Sequence, residues 1–373
     1  MGFGYNQPVM PEIAKDKFGP EYVLTVYDSK LGMEGFLVVD NTVLGPGKGG
    51  MRMTPTVTVE EISRLARAMT WKNAVCGLPF GGAKAGIVWS GGSPELKKEF
   101  IQSFARRIAH FMPKYYIAGP DVSSGEKEMQ WFVEATGNPK SATGKPAALG
   151  GLPHELGSTG FGVANAARVA VELKGMDIKK TTVAIEGFGN VGTFAFKFLK
   201  EMGAKIIAVA DSRGGVWNEN GLDGDELLEL KKGGKSVGDS RQGKKISHDE
   251  VFGINADVLI PASITDVVND GNKNTIKAKI VVEGANIPMR ENIEEELWKK
   301  GILIVPDFIA NGGGVISSYA EHMGYDSEKM FEMVKEKVTA AATEVIGISL
   351  KNNENPRAVA LRVARERIEK ESK

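Results

Sequence analysis

The sequence predicts an α/β protein of two domains, a mixed α/β unit followed by a doubly wound parallel sheet. Three observations carry that expectation. The chain has 373 residues, enough for two domains of ordinary size, each with its own core. Its first part combines hairpin-like strands with amphipathic helices. From Thr181 onward, short runs of Val, Ile and Ala alternate with helices, the pattern of parallel strands buried on both faces.

Taken in order, EYVLTVYDS and GFLVVDNTVLG read as strands separated by a turn around Leu31 and Gly32. TVEEISRLARAMTWKNAV reads as a helix. Thr58 and Glu61 have capping-box spacing, and Ile62, Leu65, Ala66 and Met69 recur at i, i+3, i+4, i+7. A further helix is expected over residues 94–112, with Pro94 near its start. In the second part TTVAIEG, AKIIAVAD, ADVLIPA, AKIVVEGA and ILIVPD read as strands, with VGTFAFKFLKEMG and IEEELWKKG as helices between some of them. That alternation implies right-handed crossovers. The Gly- and Lys-rich residues 231–245 read as a solvated loop. After Asn311-Gly312-Gly313-Gly314 the chain becomes helical again.

Composition removes several function classes. Lys+Arg and Asp+Glu are both 47, so the formal net charge is zero, whereas a general nucleic-acid or membrane-surface binder shows a basic excess. Cys76 is the single cysteine, which excludes an intrachain disulfide and any multi-cysteine metal site. His110, His154, His248 and His322 are scattered without metal-ligand spacing, so no metal is expected. No apolar run approaches the ~18 residues that span a bilayer. Residues 1–17 lack a continuous apolar signal segment and carry Glu12 and Asp16, which makes the cytoplasm the expected location. Glycine is the outlier, at 46 residues against a typical ~7%. Many backbone positions are therefore expected to turn tightly or approach a ligand.

Gly187-Phe188-Gly189-Asn190-Val191-Gly192 matches G-x-G-x-x-G. It follows the strand VAIE, opens a helix and precedes a second strand ending at Asp211, about 20 residues on, where an acidic side chain accepts ribose hydroxyls. The glycines let backbone N–H groups reach a pyrophosphate at the helix N-terminus. This is the arrangement of a Rossmann-type dinucleotide-binding domain. Asp211 favours NAD over NADP by repelling a 2′-phosphate, but Ser212 and Arg213 follow it and offer that phosphate partners, so both coenzymes stay in play.

The segments GPGKGGMRMTP and GLPFGGAKAGI set Lys48 and Lys84 among glycines, where no neighbouring side chain shields them. Lys72 lies at the edge of its helix's apolar stripe, where a lysine finds a partner or snorkels to water. Each alone reads as a solvated charge; together they suggest a pocket for an anionic small molecule.

GPGKGGMRM, MTWK, GLPFGGAKAGI, GPD at 119–121, EGFGNVG, EGAN at 283–286 and NGGGVISS at 311–318 resemble, in order, the motifs of the glutamate/leucine/phenylalanine/valine dehydrogenases, over residues 22–320. The resemblance implies a substrate and assembly domain at 1–150, completed by 315–373, a Rossmann domain at 151–314, and a cleft between them. It further implies that Lys84 is the catalytic lysine, that Lys72 holds the substrate α-carboxylate, and that Asp121 exchanges a proton with the substrate amine. Asn286 and Asn311 would lie near the nicotinamide and ribose. Chemistry agrees: a lysine whose pKa is lowered by burial and cationic neighbours can act as general base for water attacking an imine. Taken alone, Asp121 reads equally as a turn or helix-cap residue ahead of VSSGEKEM.

Family members acting on glutamate have a lysine matching Lys48 and a serine matching Ser318, both on the distal carboxylate, with a residue matching Val315 against the substrate methylenes. The resemblance therefore implies oxidative deamination of glutamate to 2-oxoglutarate and ammonium by a homo-oligomer, hexamer or octamer. A branched-chain or other amino-acid substrate, and a non-catalytic nucleotide- or amino-acid-binding regulator, are the alternatives. Three features depart from the glutamate-type pattern: the short stretch before the first strands, Phe161 where many glutamate enzymes have arginine, and Ser123-Ser124-Gly125 after the aspartate.

Overall fold

The computed structural model describes residues 13–153 and 156–372. The readings that involve Glu12 and His154 lie outside the described residues. The chain divides into two compact units, Met1–Asn73 with Pro79–Gly151, and Ala74–Leu78 with Leu152–Lys373.

The first unit starts from a hairpin. Strand β1 (Tyr22–Asp28) pairs antiparallel with β2 (Met33–Asn41), and Gly32 takes a positive φ in the turn between them. Two short strands, β3 (Gly47–Lys48) and β4 (Met51–Thr54), both run parallel to β5 (Gly81–Val88), whose other edge is antiparallel to β2. Strand β6 (Tyr116–Ile117) pairs with β3 and completes a six-stranded mixed sheet.

Both faces of this sheet are covered. Helix α1 (Val59–Val75) packs Ile62 and Ala66 against Phe36, Val38 and Val57. Helix α2 (Pro94–Ile108) begins with the Ser93 hydroxyl accepting from Leu96 N–H and places Ile101, Phe104 and Ile108 over Leu37, Val39, Ala85 and Ile87. Helix α3 (Glu126–Thr136) adds Met129 and Phe132 to the same core. The two faces alternate along β2 and β5, as a period of two requires. The buried line of α1 runs Ile62, Ala66, Thr70, Asn73, while Leu65 and Met69 are only half-buried. The polar members of that line bond inward: Thr70 Oγ1 donates to Asp40 (2.5 Å) and Asn73 Nδ2 to Gly81 O (2.6 Å).

In the second unit helix α4 (Ser158–Leu173) leads into the strands expected from the sequence. Strand β7 (Thr182–Glu186) is followed by α5 (Asn190–Glu201) and β8 (Lys205–Asp211). Then come β9 (Gly214–Trp217), α6 (Gly224–Lys232), β10 (Lys244–Ile246), β11 (Val258–Pro261) and β12 (Ile280–Val282). Helix α7 (Glu291–Lys299) leads to β13 (Leu303–Val305). The sheet order is β10-β9-β8-β7-β11-β12-β13, with β8 to β13 parallel and β9 and β10 antiparallel at one end. The chain passes from β7 to β8 on one side and later returns to β11 on the other side of β7, so the loop after β7 opens at the switch point where such sheets bind ligands.

Helices α8 (Asp307–Ala310), α9 (Gly313–Met323), α10 (Ser327–Asn352) and α11 (Pro356–Glu371) follow. Residues 315–373 group with the second compact unit. The cause is the apolar stripe of α10, where Met330, Val334, Val338, Ala341 and Val345 are buried and the helix packs along α4. Ala74–Leu78 joins this unit too. Arg367 Nη1 donates to the carbonyls of Ala74 (2.8 Å) and Val75 (2.7 Å), and Lys337 Nζ donates to Gly77 O (2.9 Å). Among the described residues no helix is long and apolar enough to cross a membrane.

Candidate active site

Alternation on two strands builds the charged cluster of the first unit. Met51 and Met53 of β4 and Ala83, Ala85 and Ile87 of β5 enter the α2-side core, so Arg52 and Lys84 between them project from the opposite face. Both reach Asp121, whose Oδ2 lies 2.6 Å from Lys84 Nζ and 3.2 Å from Arg52 Nε. Arg52 also pairs with Glu61 of α1. Burial raises the Asp121 pKa, but the two cations outweigh it, and the carboxyl is held below its ordinary value. The helix-cap reading of Asp121 does not apply, because Gly125 occupies the N-cap of α3. Instead Asp121 N–H is held in a tight turn by Ser124 Oγ at 3.0 Å, and that hydroxyl donates to Met51 O at 2.5 Å.

Lys48 and Lys84 are buried, which removes the surface-charge reading for both. Lys48 is in register with Gly82 and Ile117, and its Nζ donates to Ala118 O at 2.8 Å. A Cβ on Gly119 would lie 2.4 Å from that ammonium, so only glycine leaves it this position. Thr143 and Lys145 complete the neighbourhood and were not singled out from the sequence. Thr143 is fully buried, its Oγ1 has no hydrogen-bond partner among the described residues, and the same Cβ would lie 3.8 Å from it. Lys145 Nζ donates to Ala142 O at 2.8 Å. Lys72 is half-buried in the last turn of α1.

The turn after β7 has the geometry of a dinucleotide cradle. Gly187 has φ +87°, and a Cβ there would come 2.6 Å from Ser263 N. A Cβ on Gly192 would meet Gly187 O at 1.8 Å, whereas one on Gly189 would meet nothing within 4 Å. The first and third glycines are thus demanded by packing, and the second leaves the space a pyrophosphate needs. Gly189 N-caps α5 without a side-chain bond, and Asn190 is exposed beside it with Val191 half-buried. These residues fit a dinucleotide.

Asp211 ends β8 next to this turn, tied to it by Gly187 N–H donating to Ala210 O at 2.9 Å. Its carboxylate already accepts from Ser236 Oγ (2.7 Å), Arg213 N–H (2.9 Å) and Val237 N–H (2.9 Å). Burial opposes the charge, yet these donors hold its pKa below the ordinary value. Residues 231–245, expected to be a solvated loop, are solvated only in part. Ser236, Val237 and Gly238 are buried over Asp211, and Lys244 and Lys245 belong to β10. Ser212 and Arg213 are exposed.

On the other side of the switch point, Asn311 Nδ2 donates to Asn286 Oδ1 (3.0 Å) and Ala285 O (3.1 Å), which leaves Asn286 at the exposed tip of its loop. Val315 and Ser318 lie three apart on α9, on one face, and both are half-buried.

Family models match the chain in two stretches. Residues 20–138 match the Glu/Leu/Phe/Val dehydrogenase dimerisation domain, and residues 150–373 match the Glutamate/Leucine/Phenylalanine/Valine dehydrogenase model. The chain belongs to this family. The glutamate dehydrogenase of Aeropyrum pernix is 40% identical over 88% of this chain and 83% of its own. The NADP-specific glutamate dehydrogenase of Saccharolobus shibatae is 37% identical over 81% of this chain and 75% of its own. Among solved structures, the hetero-hexameric glutamate dehydrogenase of Thermus thermophilus, in a leucine-bound form, aligns with a TM-score of 0.81 at 29% identity, covering 94% of this chain and 89% of that one.

Within this Glu/Leu/Phe/Val dehydrogenase, Phe161 has a packing role. Its ring meets Phe198 (4.7 Å) and Phe331 (5.1 Å) edge-on, joining α4, α5 and α10. Glu186, the last residue of β7, is fully buried and faces His248, with Oε1 2.9 Å from Nε2. Glu186 was not singled out from the sequence, and His248 figured there only as one of four scattered histidines. Burial of the imidazole disfavours its charge, but Glu186 and Asp249 outweigh that, so the His248 pKa is raised above 6.5. A raised pKa in the folded state gives stabilisation that is complete below the unfolded value and fades as pH rises through the folded one. His248→Gln is therefore expected to lower the urea midpoint of the second unit more at about pH 5.5 than at about pH 9. A deficit independent of pH would remove the ion pair from the account.

Proposed function

We propose that this chain is a glutamate dehydrogenase, which converts L-glutamate, water and NAD(P)⁺ to 2-oxoglutarate, ammonium, NAD(P)H and a proton, reversibly. The observation that carries the reading is the buried Lys48 ammonium at the Gly119 notch. The distal carboxylate of glutamate offers this ammonium a charged contact that aliphatic or aromatic substrates lack.

In this reading Lys48 and Ser318 take the distal carboxylate, Val315 packs against the methylenes, and Lys72 takes the α-carboxylate. The cradle of Gly187, Gly189 and Gly192, with Asn190 and Val191, holds the pyrophosphate, while Asn286 and Asn311 serve the nicotinamide side. The bound nicotinamide would accept the hydride from Cα. Asp121, kept ionised by Lys84 and Arg52, takes the proton of the substrate amine. Lys84 passes its ammonium proton to solvent and then takes one from the water that attacks the imine carbon, and Asp121 returns a proton as ammonia leaves. Lys84→Ala is expected to lower kcat by ~10²–10⁴-fold, the usual cost of losing a positioned acid–base group, with coenzyme binding retained. Turnover near the parent's would refute that role.

We further propose that the protein acts in the cytoplasm as a homo-oligomer, hexamer or octamer, and that it accepts both coenzymes with NAD slightly favoured. Asp211 stays ionised, which opposes a 2′-phosphate, while Ser212 and Arg213 stand ready to meet one. Asp211→Ala is expected to raise the KM for NAD relative to that for NADP, and Ser236→Ala, which frees the loop but keeps the charge, to leave that ratio nearer the parent's. An unchanged ratio in Asp211→Ala would assign the preference to Ser212 or Arg213.

Lys48→Leu gives the substrate test. Stranding one partner of a buried charge pair costs ~3–5 kcal/mol, roughly a hundredfold to a few thousandfold in kcat/KM for glutamate. Norvaline turnover is expected to hold or improve. Equal losses for both substrates would place Lys48 at the shared α-amino-acid end.

A further inference from the structure

A cluster of buried charge lies behind the Asn286 turn. Arg357, the second residue of α11, reaches three carboxylates. Its Nη2 donates to Glu283 Oε2 at 2.9 Å and Asp307 Oδ1 at 3.0 Å, and its Nε pairs with Glu294 of α7. The guanidinium also lies over the Phe308 ring, 5.2 Å from its centre. Glu283 follows β12 directly and is fully buried; its Oε2 accepts from Asp307 N–H at 2.7 Å. Three acids around one guanidinium leave an excess of negative charge, and burial together with the neighbouring acids pushes the Glu283 and Glu294 pKa values up.

The other oxygen of Asp307 matters for function. Its Oδ2 accepts from Ile287 N–H at 3.0 Å. Ile287 has φ +48°, a left-handed conformation that a β-branched residue adopts only when its surroundings impose it. The imposing groups are few: Asp307 on the N–H, Asp266 N–H on Ile287 O at 3.0 Å, and Thr265 Oγ1 on Asn286 O at 3.1 Å. Asp307 also opens α8, whose C-cap is Asn311, the donor to Asn286. A planar guanidinium that bridges two carboxylates with one nitrogen fixes their positions in a way an ammonium on a flexible stem does not.

We propose that Arg357 is a positioning residue for the coenzyme: by bracing Asp307 and Glu283 it holds the strained turn at 286–287 in the form that presents Asn286. The proposal rests on the reading that Asn286 and Asn311 line the nicotinamide side. It places the determinant of coenzyme affinity on α11, some 70 residues from the turn in sequence, and away from the Gly-rich cradle.

The test is NADH binding to the full-length protein, followed by fluorescence titration, with glutamate KM measured at saturating coenzyme. Arg357→Lys keeps the charge and loses the fork. It is expected to raise the Kd for NADH about tenfold, the scale on which members of one hydrogen-bond network couple. Glutamate KM is expected to stay within about twofold. Asp307→Asn is expected to reproduce the loss and decides the matter if Arg357→Lys does not fold. Glu294→Gln, which touches Arg357 but not the turn, is expected to leave the NADH Kd within about twofold of the parent's. The inference is overturned if folded Arg357→Lys and Asp307→Asn bind NADH as the parent does, or if Glu294→Gln weakens binding equally, since Arg357 would then be a brace of the fold alone. Asn286→Ala separates the two layers. Parent-like NADH binding in that variant would sink the coenzyme-side reading itself, whereas a loss there with none in Arg357→Lys would sink only the role of Arg357.

Discussion

Asp121 carries a charge that is largely, not wholly, removed from water, and its neighbours make that tolerable. An isolated buried carboxylate would take up a proton; this one keeps its charge because Lys84 lies 2.6 Å away and Arg52 3.2 Å away. Neither cation can drift. Lys84 is fixed by β5, paired on one edge with β2 and on the other with β3 and β4, and Arg52 by the pairing of β4 with β5. Asp121 itself is anchored to the same strands, since Met51 N–H donates to Gly119 O and Met53 N–H to Val122 O, both at 2.9 Å. Good geometry is the condition under which a buried pair offsets its desolvation. The same rigidity is what proton exchange between a carboxylate and an adjacent amine requires.

The second unit uses carboxylates differently, as anchors for the loops at the C-terminal ends of its parallel strands. Glu186 at the end of β7 holds His248, and Asp211 at the end of β8 holds Ser236 and Val237. Glu283 after β12 holds Asp307 N–H, and Asp307 after β13 holds Ile287 N–H. Four of the five parallel strands thus run into an acid that orders backbone or side chain nearby. This is the edge at which doubly wound sheets bind ligands. Loops ordered before a ligand arrives cost less to order on binding.

Much of this was legible in the sequence where one chemical pattern governs one local structure. The apolar runs became the parallel strands, the spacing of Gly187, Gly189 and Gly192 encodes the three packing demands of the turn, and Pro94 opens its helix. What escaped was long-range. Arg52 was visible in GPGKGGMRM, but its role depends on strand alternation that sets it beside Lys84, 32 positions later in the chain. Residues 231–245 read as solvated because their lysines are, while the buried Ser236 is explained by its hydroxyl donating to Asp211 and accepting from Gly238 N–H. What the helices after 315 pack against was not legible, because amphipathic periodicity shows that a face is buried and not against what. Leu65 and Met69 fit the apolar spacing of α1, yet its buried line follows Thr70 and Asn73, whose partners lie on other elements.

The central claim is that a buried lysine in the first unit selects a dicarboxylic amino acid for oxidative deamination. The most direct measurement is the initial rate of NADH and NADPH formation by the purified protein across a panel of L-glutamate, L-leucine, L-valine, L-phenylalanine and norvaline. The account predicts that kcat/KM for glutamate exceeds every other substrate by at least about a hundredfold, the scale set by a buried charge pair. A leucine, valine or phenylalanine rate equal to or above that of glutamate, or no reduction of either coenzyme with any amino acid, would contradict it.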